Sequence, residues 1–239
     1  GANFANDAFD VDHGADAERI GPARAVSSGW ISRRAMLIAT ALAFVVATAI
    51  GMGLVALAGW PVIAIGVASI LAAVLYTGGP WPLGYHGLGD VFVFLFFGLV
   101  AVGGTAWAHT GSVPTSAWAS ACATGALATA ILVVNNLRDR VGDAAVGKRT
   151  LAVRWGRGGA LAEYLGLVIV AAGATAACAW AVGSPWPLLG LLFLPRAIMV
   201  WRAVCRANAG PAFNQALANT AVVMLMHGAL LSLGLVLAR

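Results

Sequence analysis

Charge is what this chain has least of. Only 10% of its 239 residues are Asp, Glu, Lys or Arg, against about 25% in ordinary soluble domains, which argues against a water-facing globular surface. Cysteine is scarce too. Cys122, Cys178 and Cys205 lie in or beside apolar runs without a CxxC or metal-ligand spacing, so they read as buried thiols and imply no disulfide framework. A cleavable signal pattern is missing: the opening residues are polar and acidic, the reverse of a basic stretch followed by an apolar one. The sequence also starts without Met, at Gly1 and almost directly in an acidic motif, and is expected to be a fragment lacking its natural N-terminus.

What is present is apolar. Hydrophobic residues make up 61% of the chain and the mean hydropathy is +0.88. After a polar stretch over residues 1–34, apolar segments are expected at 35–59, 61–77, 90–109, 115–137, 160–182, 186–205 and 216–237. Several approach or exceed the roughly 18–20 residues needed to cross a bilayer. The expected fold class is all-α: a polytopic transmembrane helical bundle. Gly and Ala recur throughout, as where membrane helices pack closely through small residues. Gly59-Trp60-Pro61 and Gly183 to Pro187 read as tight turns with Trp at the interface.

Alternating the loops between the two membrane faces separates the charges. The loops near 60, at 110–114 and at 183–187 contain no Lys or Arg. Those at 10–34, 78–89, 138–159 and 206–215 hold Arg19, Arg24, Arg33, Arg34, Arg138, Arg140, Lys148, Arg149, Arg154, Arg157 and Arg206. The positive-inside rule puts this second set on the cytoplasmic side of a cell (inner or plasma) membrane. The net charge of +5 follows from that distribution, and no nucleic-acid partner is read from it.

Seven of the nine acids fall in two regions: Asp7, Asp10, Asp12, Asp16 and Glu18 near the start, and Asp139 and Asp143 later. The later one, Asn135 to Arg154, organises the chain. Asp139 and Asp143 are four apart, hence on one face of a helix. Asn135 and Asn136 sit one turn earlier, Arg138 lies between, and Lys148, Arg149 and Arg154 follow within reach of a bound anion. Asp7 and Asp10, three apart, share a face if they continue a helix. Two acid-bearing helix ends facing each other suit Mg²⁺ bridging a diphosphate, because magnesium is typically held by one or two carboxylates plus substrate phosphates. The cation would neutralise charge developing on a departing diphosphate. Lys148, Arg149, Arg19 and Arg24 would bind the outer oxygens, Arg by bidentate contact and Lys as a point charge. With an apolar bundle behind it, such a site implies a lipid diphosphate, whose ionisation leaves a carbocation for an electron-rich carbon to capture. Three readings compete. The acids could be solvated charge at a membrane surface, or the chain a structural subunit, which leaves paired acid motifs on one side unexplained. It could also be a transporter, but transporter acids are expected near the midplane at broken helices.

The residues also carry a family resemblance. NDAFD (Asn6 to Asp10), GAD (Gly14 to Asp16), RIGPAR (Arg19 to Arg24) and SSGWIS (Ser27 to Ser32) resemble the first signature of the UbiA superfamily of intramembrane prenyltransferases. NNLRDRVGDAAVGKRTLAVRWG (Asn135 to Gly156) resembles its second. YTGGPWPLGYHGLGDVFVFLFFG (Tyr76 to Gly98) and FNQALANT (Phe213 to Thr220) resemble the branch that prenylates 1,4-dihydroxy-2-naphthoate. The general pattern expects an acid at the position of Gly14; here the third acid is Asp16, a shift the naphthoate branch shares. The resemblance implies a Mg²⁺-dependent nine-helix bundle opening laterally to lipid, of which 1–239 would be one membrane-embedded domain with about seven helices, lacking the first and most of the second. It implies the joining of a polyprenyl diphosphate to dihydroxynaphthoate, with loss of diphosphate and CO₂, to give demethylmenaquinone. By motif position, Asn6, Asp7, Asp10, Asp139 and Asp143 become the metal–diphosphate residues, with Asp16, the third acid of the first motif, as a further expected metal ligand, Lys148 as a diphosphate contact, and Asn135, Asn136 and Arg138 in the expected diphosphate-binding set. The rival within the superfamily takes another aromatic or lipid acceptor.

Lesser residues divide between bland and sharp roles. Tyr76 and Tyr85 are interfacial anchors or line substrate. Asp90 is expected to complement a helix N-terminus. His109 and His227 are expected to be structural, and His13 stands in the first motif although magnesium prefers oxygen. Phe92, Phe94, Phe96 and Phe97 form a lipid-facing or core surface, or a wall for a prenyl chain.

Overall fold

The computed structural model describes residues 1–13 and 21–238, and among them every regular element is helical. In chain order these are α1 (Ala2–Asp10), continued by a 3-10 turn (Val11–His13), α2 (Arg33–Ala58), α3 (Pro61–Leu75), a 3-10 turn (Leu83–His86) and α4 (Gly89–Val93). The last runs through a π-helical segment (Phe94–Val100) into α5 (Ala101–Thr110). Then come α6 (Thr115–Ala145), α7 (Leu151–Val182), a 3-10 segment (Trp186–Phe193), α8 (Leu194–Arg206) and α9 (Gly210–Leu237).

All seven expected apolar segments fold as helix, and among the described residues six stretches are long and apolar enough to cross a membrane: Arg33–Ala58, Gly89–Thr110, Thr115–Ala145, Leu151–Val182, Trp186–Arg206 and Gly210–Leu237. The exception is α3. Its 15 residues span about 22 Å at 1.5 Å per residue, short of the ~30 Å hydrocarbon core. Three boundaries move by more than a turn, among them the start of α9, at Gly210 instead of 216. α6 runs on to Ala145 instead of ending near 137, because Arg138, Arg140, Ala144 and Ala145 are good helix formers. α7 starts at Leu151 instead of 160, with Thr150 as its cap, the Thr150 hydroxyl accepting from Val153 N–H at 3.3 Å, and it is kinked at Gly156, whose φ of +68° is not helical. The segment expected at 186–205 opens as 3-10 helix because Pro185 and Pro187 lack N–H donors.

Two compact units emerge, Gly1–Gly89 with Asp139–Arg154, and Asp90–Arg138 with Trp155–Arg239. In the first, α1 packs against α2 and α3, and α2 against α3. The small residues Ala5 and Ala8 are fully buried in that contact. α2 is capped by Ser32, whose hydroxyl accepts from Ala35 N–H. It exposes Ile38, Leu42, Val46, Ile50 and Leu57, an apolar surface suited to lipid.

In the second unit, α9 packs against Trp186–Phe193 and α8. The buried Thr220 and His227 of α9 are paired: His227 Nε2 lies 2.9 Å from Thr175 Oγ1, and the Tyr164 hydroxyl 3.3 Å from Thr220 Oγ1. Phe193 meets the His227 ring edge-on, with 5.2 Å between centroids. The π segment touches α6 backbone to backbone, through glycine. A Cβ on Gly125 would lie 2.8 Å from the Phe94 carbonyl oxygen and 3.1 Å from Gly98 Cα. Both obstacles are main chain, so neither can swing away. Gly125→Ala is therefore expected to cost about 1–3 kcal/mol, measured as a lower Tm of the purified protein in detergent; an unchanged Tm would contradict this contact.

Candidate active site

The first acidic motif is helical. Asp7 and Asp10 lie on α1 and both are buried. Asp7 Oδ2 accepts from Ala25 N–H at 3.0 Å, and its Oδ1 from Val26 N–H at 3.3 Å. One carboxylate thus takes up two main-chain donors of the turn that follows Arg24, an arrangement local spacing does not announce. Asp10 Oδ1 accepts from the Tyr85 hydroxyl at 3.0 Å, and Arg24 Nη2 stands 3.6 Å from its Oδ2. Asn6 Oδ1 accepts from Thr77 Oγ1 at 3.0 Å. Asp12 pairs with Arg33 at the surface. Asp16 and Arg19 lie outside the described residues.

Two hydrogen bonds from loop N–H groups to a buried carboxylate are each worth about 1.5–3 kcal/mol net. Asp7→Ala is accordingly expected to free the 21–32 segment. Limited proteolysis should show faster cleavage there than in the parent chain, and equal cleavage rates would speak against this role.

The second motif lies on the last turns of α6, which puts Asp139 and Asp143 on one helical face. Gly147, at φ +75°, ends the helix in a conformation only glycine adopts freely. The reversal returns Lys148 to the helix end: its N–H donates to the Asp143 carbonyl oxygen at 2.8 Å, and its Nζ reaches Asp143 Oδ1 at 3.3 Å. Asp143 is only 6% exposed, and its Oδ2 has no hydrogen-bond partner among the described residues. Asp143 also feels the charges of Asp139 and Asp10, so acids of both motifs share one electrostatic neighbourhood inside the first unit.

The other basic residues divide. Arg149 is exposed, and its N–H donates to the Tyr85 carbonyl oxygen at 2.8 Å. Arg154 turns back on the main chain, its Nε donating to Arg149 O at 3.1 Å and its Nη2 to His86 O at 2.9 Å. Arg138 is buried in the second unit, where it donates to Asn214 Oδ1 and Asn135 Oδ1, both at 2.8 Å, and ties α6 to α9. Asn136 is buried in the same unit. Asp90 sits in the first turn of α4, as expected for an acid at a helix N-terminus, with neither carboxylate oxygen hydrogen-bonded among the described residues.

Sequence reasoning gave Thr77 and Asn214 no role and left Tyr85 between anchor and substrate wall. Tyr85 is neither an exposed anchor nor a lipid contact: it is 7% exposed and its hydroxyl is on Asp10.

A divalent cation fits these residues in one respect. No three carboxylate, imidazole or thiolate groups converge as a complete ligand cluster among the described residues, yet magnesium needs only one or two carboxylates when phosphates supply further oxygens. The unpartnered Oδ2 of Asp143, a hard oxygen donor, is of that kind.

Six membrane-length helices among the described residues define an all-helical integral membrane protein, with Asp143 buried and paired to Lys148 at the end of α6. The chain belongs to the UbiA prenyltransferase family, which it matches over residues 1–236. It is 39% identical over 226 residues to the 1,4-dihydroxy-2-naphthoate octaprenyltransferase of Mycobacterium tuberculosis, covering 95% of this chain and 77% of that protein. The proteins of the same name from Haemophilus influenzae and Escherichia coli are 36% and 34% identical, over 99% and 100% of this chain and 79% and 80% of theirs. No solved structure matches.

Proposed function

We propose that this chain transfers a polyprenyl group from a polyprenyl diphosphate to 1,4-dihydroxy-2-naphthoate, with release of diphosphate and CO₂, giving demethylmenaquinol, the reduced form from which a separate two-electron oxidation makes demethylmenaquinone. The observation that carries this reading is similarity at 34–39% identity, over 95–100% of this chain and 77–80% of theirs, to several proteins bearing that one acceptor in their name. The charge distribution of the loops supports a cell membrane with the acidic motifs on the cytoplasmic side.

In this reading Asp10, Asp139 and Asp143, with Asn6 and Asp7 beside them, hold a diphosphate through Mg²⁺, and Asp16 completes the first motif. When bound, Mg²⁺ supplies positive charge against the oxygens of the departing diphosphate. Lys148 adds a fixed cation beside Asp143. Arg149, on the exposed side of the turn, is available to outer oxygens, and Arg24 carries a second cation to Asp10. Arg19, Asn135, Asn136 and Arg138 remain in the proposed diphosphate-binding set; Arg138 acts through the Asn135–Arg138–Asn214 network that fixes α6. The allylic C–O bond breaks with its electron pair leaving on diphosphate. The electron-rich naphthoate ring then forms the new C–C bond, and loss of the carboxylate as CO₂ returns an electron pair to the ring. Apolar helices exclude the water that would otherwise capture the carbocation.

The test is product identity. Purified protein in lipid, given a polyprenyl diphosphate, Mg²⁺ and in turn dihydroxynaphthoate, a hydroxybenzoate and homogentisate, should yield by mass spectrometry a prenylated, decarboxylated naphthalene only. Prenylation of another acceptor, with dihydroxynaphthoate untouched, would move the chain elsewhere in its family.

A further inference from the structure

We propose that Tyr85 is a positioning residue that couples the two acidic segments, its hydroxyl orienting Asp10 while its ring and main chain seat Lys148 and Arg149. This rests on the metal–diphosphate reading above. Three separate contacts carry it, all inside one compact unit. The hydroxyl donates to Asp10 Oδ1 at 3.0 Å, Lys148 Nζ lies 5.5 Å from the ring centroid, and the carbonyl oxygen accepts from Arg149 N–H at 2.8 Å. The same lysine is paired with Asp143 at 3.3 Å. One side chain therefore stands between an acid of the first motif and the cation bound to an acid of the second.

Tyr85 is itself held on both flanks. Its N–H donates to the Pro82 carbonyl oxygen at 3.1 Å within the Leu83–His86 turn. The neighbouring His86 stacks on Trp81 with 4.1 Å between ring centroids, and the His86 carbonyl oxygen accepts from Arg154 Nη2. A hydrogen bond from a fixed phenol to a carboxylate sets the rotation of that carboxylate and is stronger than a neutral one. Partners of this kind orient metal-binding groups, and losing them typically costs about 10–100-fold in metal affinity. The ring makes a separate cation–π contribution to the position of Lys148. Hydroxyl and ring can thus be removed one at a time.

The experiment measures binding, not turnover. The full chain in nanodiscs is titrated with farnesyl thiodiphosphate, an analogue that ionises poorly, across a range of Mg²⁺ concentrations. Tyr85→Phe is expected to raise the Mg²⁺ concentration for half-saturation about tenfold, leaving affinity for the analogue at saturating Mg²⁺ unchanged. Tyr85→Leu is expected to weaken the analogue at saturating Mg²⁺ as well, because Lys148 loses its seat. In an Asp10→Asn background, Tyr85→Phe should have no further effect on the Mg²⁺ dependence, the mark of two groups acting as one. Incorporating 3-fluorotyrosine at position 85 keeps the shape while changing the donor strength, and should shift the Mg²⁺ dependence at constant Tm. An unchanged Mg²⁺ dependence in Tyr85→Phe, or full independence of the two substitutions, would overturn the proposal. If the parent chain itself binds the analogue without regard to Mg²⁺, the metal–diphosphate reading falls, and this inference with it.

Discussion

Asp143→Asn is expected to lower prenyl transfer by roughly two to three orders of magnitude, the loss typical when a group that stabilises developing charge is removed, with little change in Tm. The asymmetry follows from what surrounds the carboxylate. Its Oδ1 faces Lys148 at 3.3 Å, while its Oδ2 is buried with no hydrogen-bond partner among the described residues. A buried, half-satisfied carboxylate is a poor contributor to stability. Asparagine keeps the shape and one acceptor, and removes the charge together with the free oxygen. Labelled-prenyl transfer in proteoliposomes, run beside a melting curve in detergent, separates the two effects. Transfer within about tenfold of the parent would mean that Asp143 does not touch the reacting diphosphate.

Lys148→Met inverts that pattern. It leaves Asp143 buried with neither carboxylate oxygen paired. Breaking a buried ion pair from one side costs about 3–5 kcal/mol; since the lysine side chain is 18% exposed, the low end, about 3 kcal/mol, is expected. Tm should fall, and transfer should fall as well, because a cation leaves the diphosphate end. Combining Lys148→Met with Asp143→Asn removes the orphaned charge, so the double variant should recover most of the Tm and none of the activity. A single Lys148→Met variant with the parent's Tm would show that the pair is solvated and energetically idle.

Local pattern predicted much of this molecule. Runs of apolar residues placed all seven helical segments, and spacing placed Asp7 with Asp10, and Asp139 with Asp143, on shared helical faces. The rest depends on contacts between residues far apart in sequence. Asp7 meets Ala25 and Val26 across a loop, Tyr85 meets Asp10 across 75 positions, and Arg138 meets Asn214 across 76. No period or cap encodes such pairings. The 3.6-residue repeat could not distinguish Arg138, which faces Asn214 inside the second unit, from Lys148, which faces Asp143; both read as basic residues beside an acidic motif. The extension of α6 to Ala145 escaped notice for a related reason: hydropathy marks where the membrane ends, whereas helix propensity and Gly147 mark where the helix ends.

The most direct test of the account is whether the two acidic motifs jointly hold one metal-bound diphosphate. Mn²⁺ substitutes for Mg²⁺ at oxygen-rich sites and reports its surroundings by electron paramagnetic resonance. Titrating the protein with Mn²⁺, with and without farnesyl thiodiphosphate, should reveal a tightly bound population that forms only when the analogue is present. Asp10→Asn and Asp143→Asn should each push its formation to a markedly higher Mn²⁺ concentration. Mn²⁺ binding that neither substitution weakens, or that ignores the analogue, would contradict a diphosphate site built from these two helix ends.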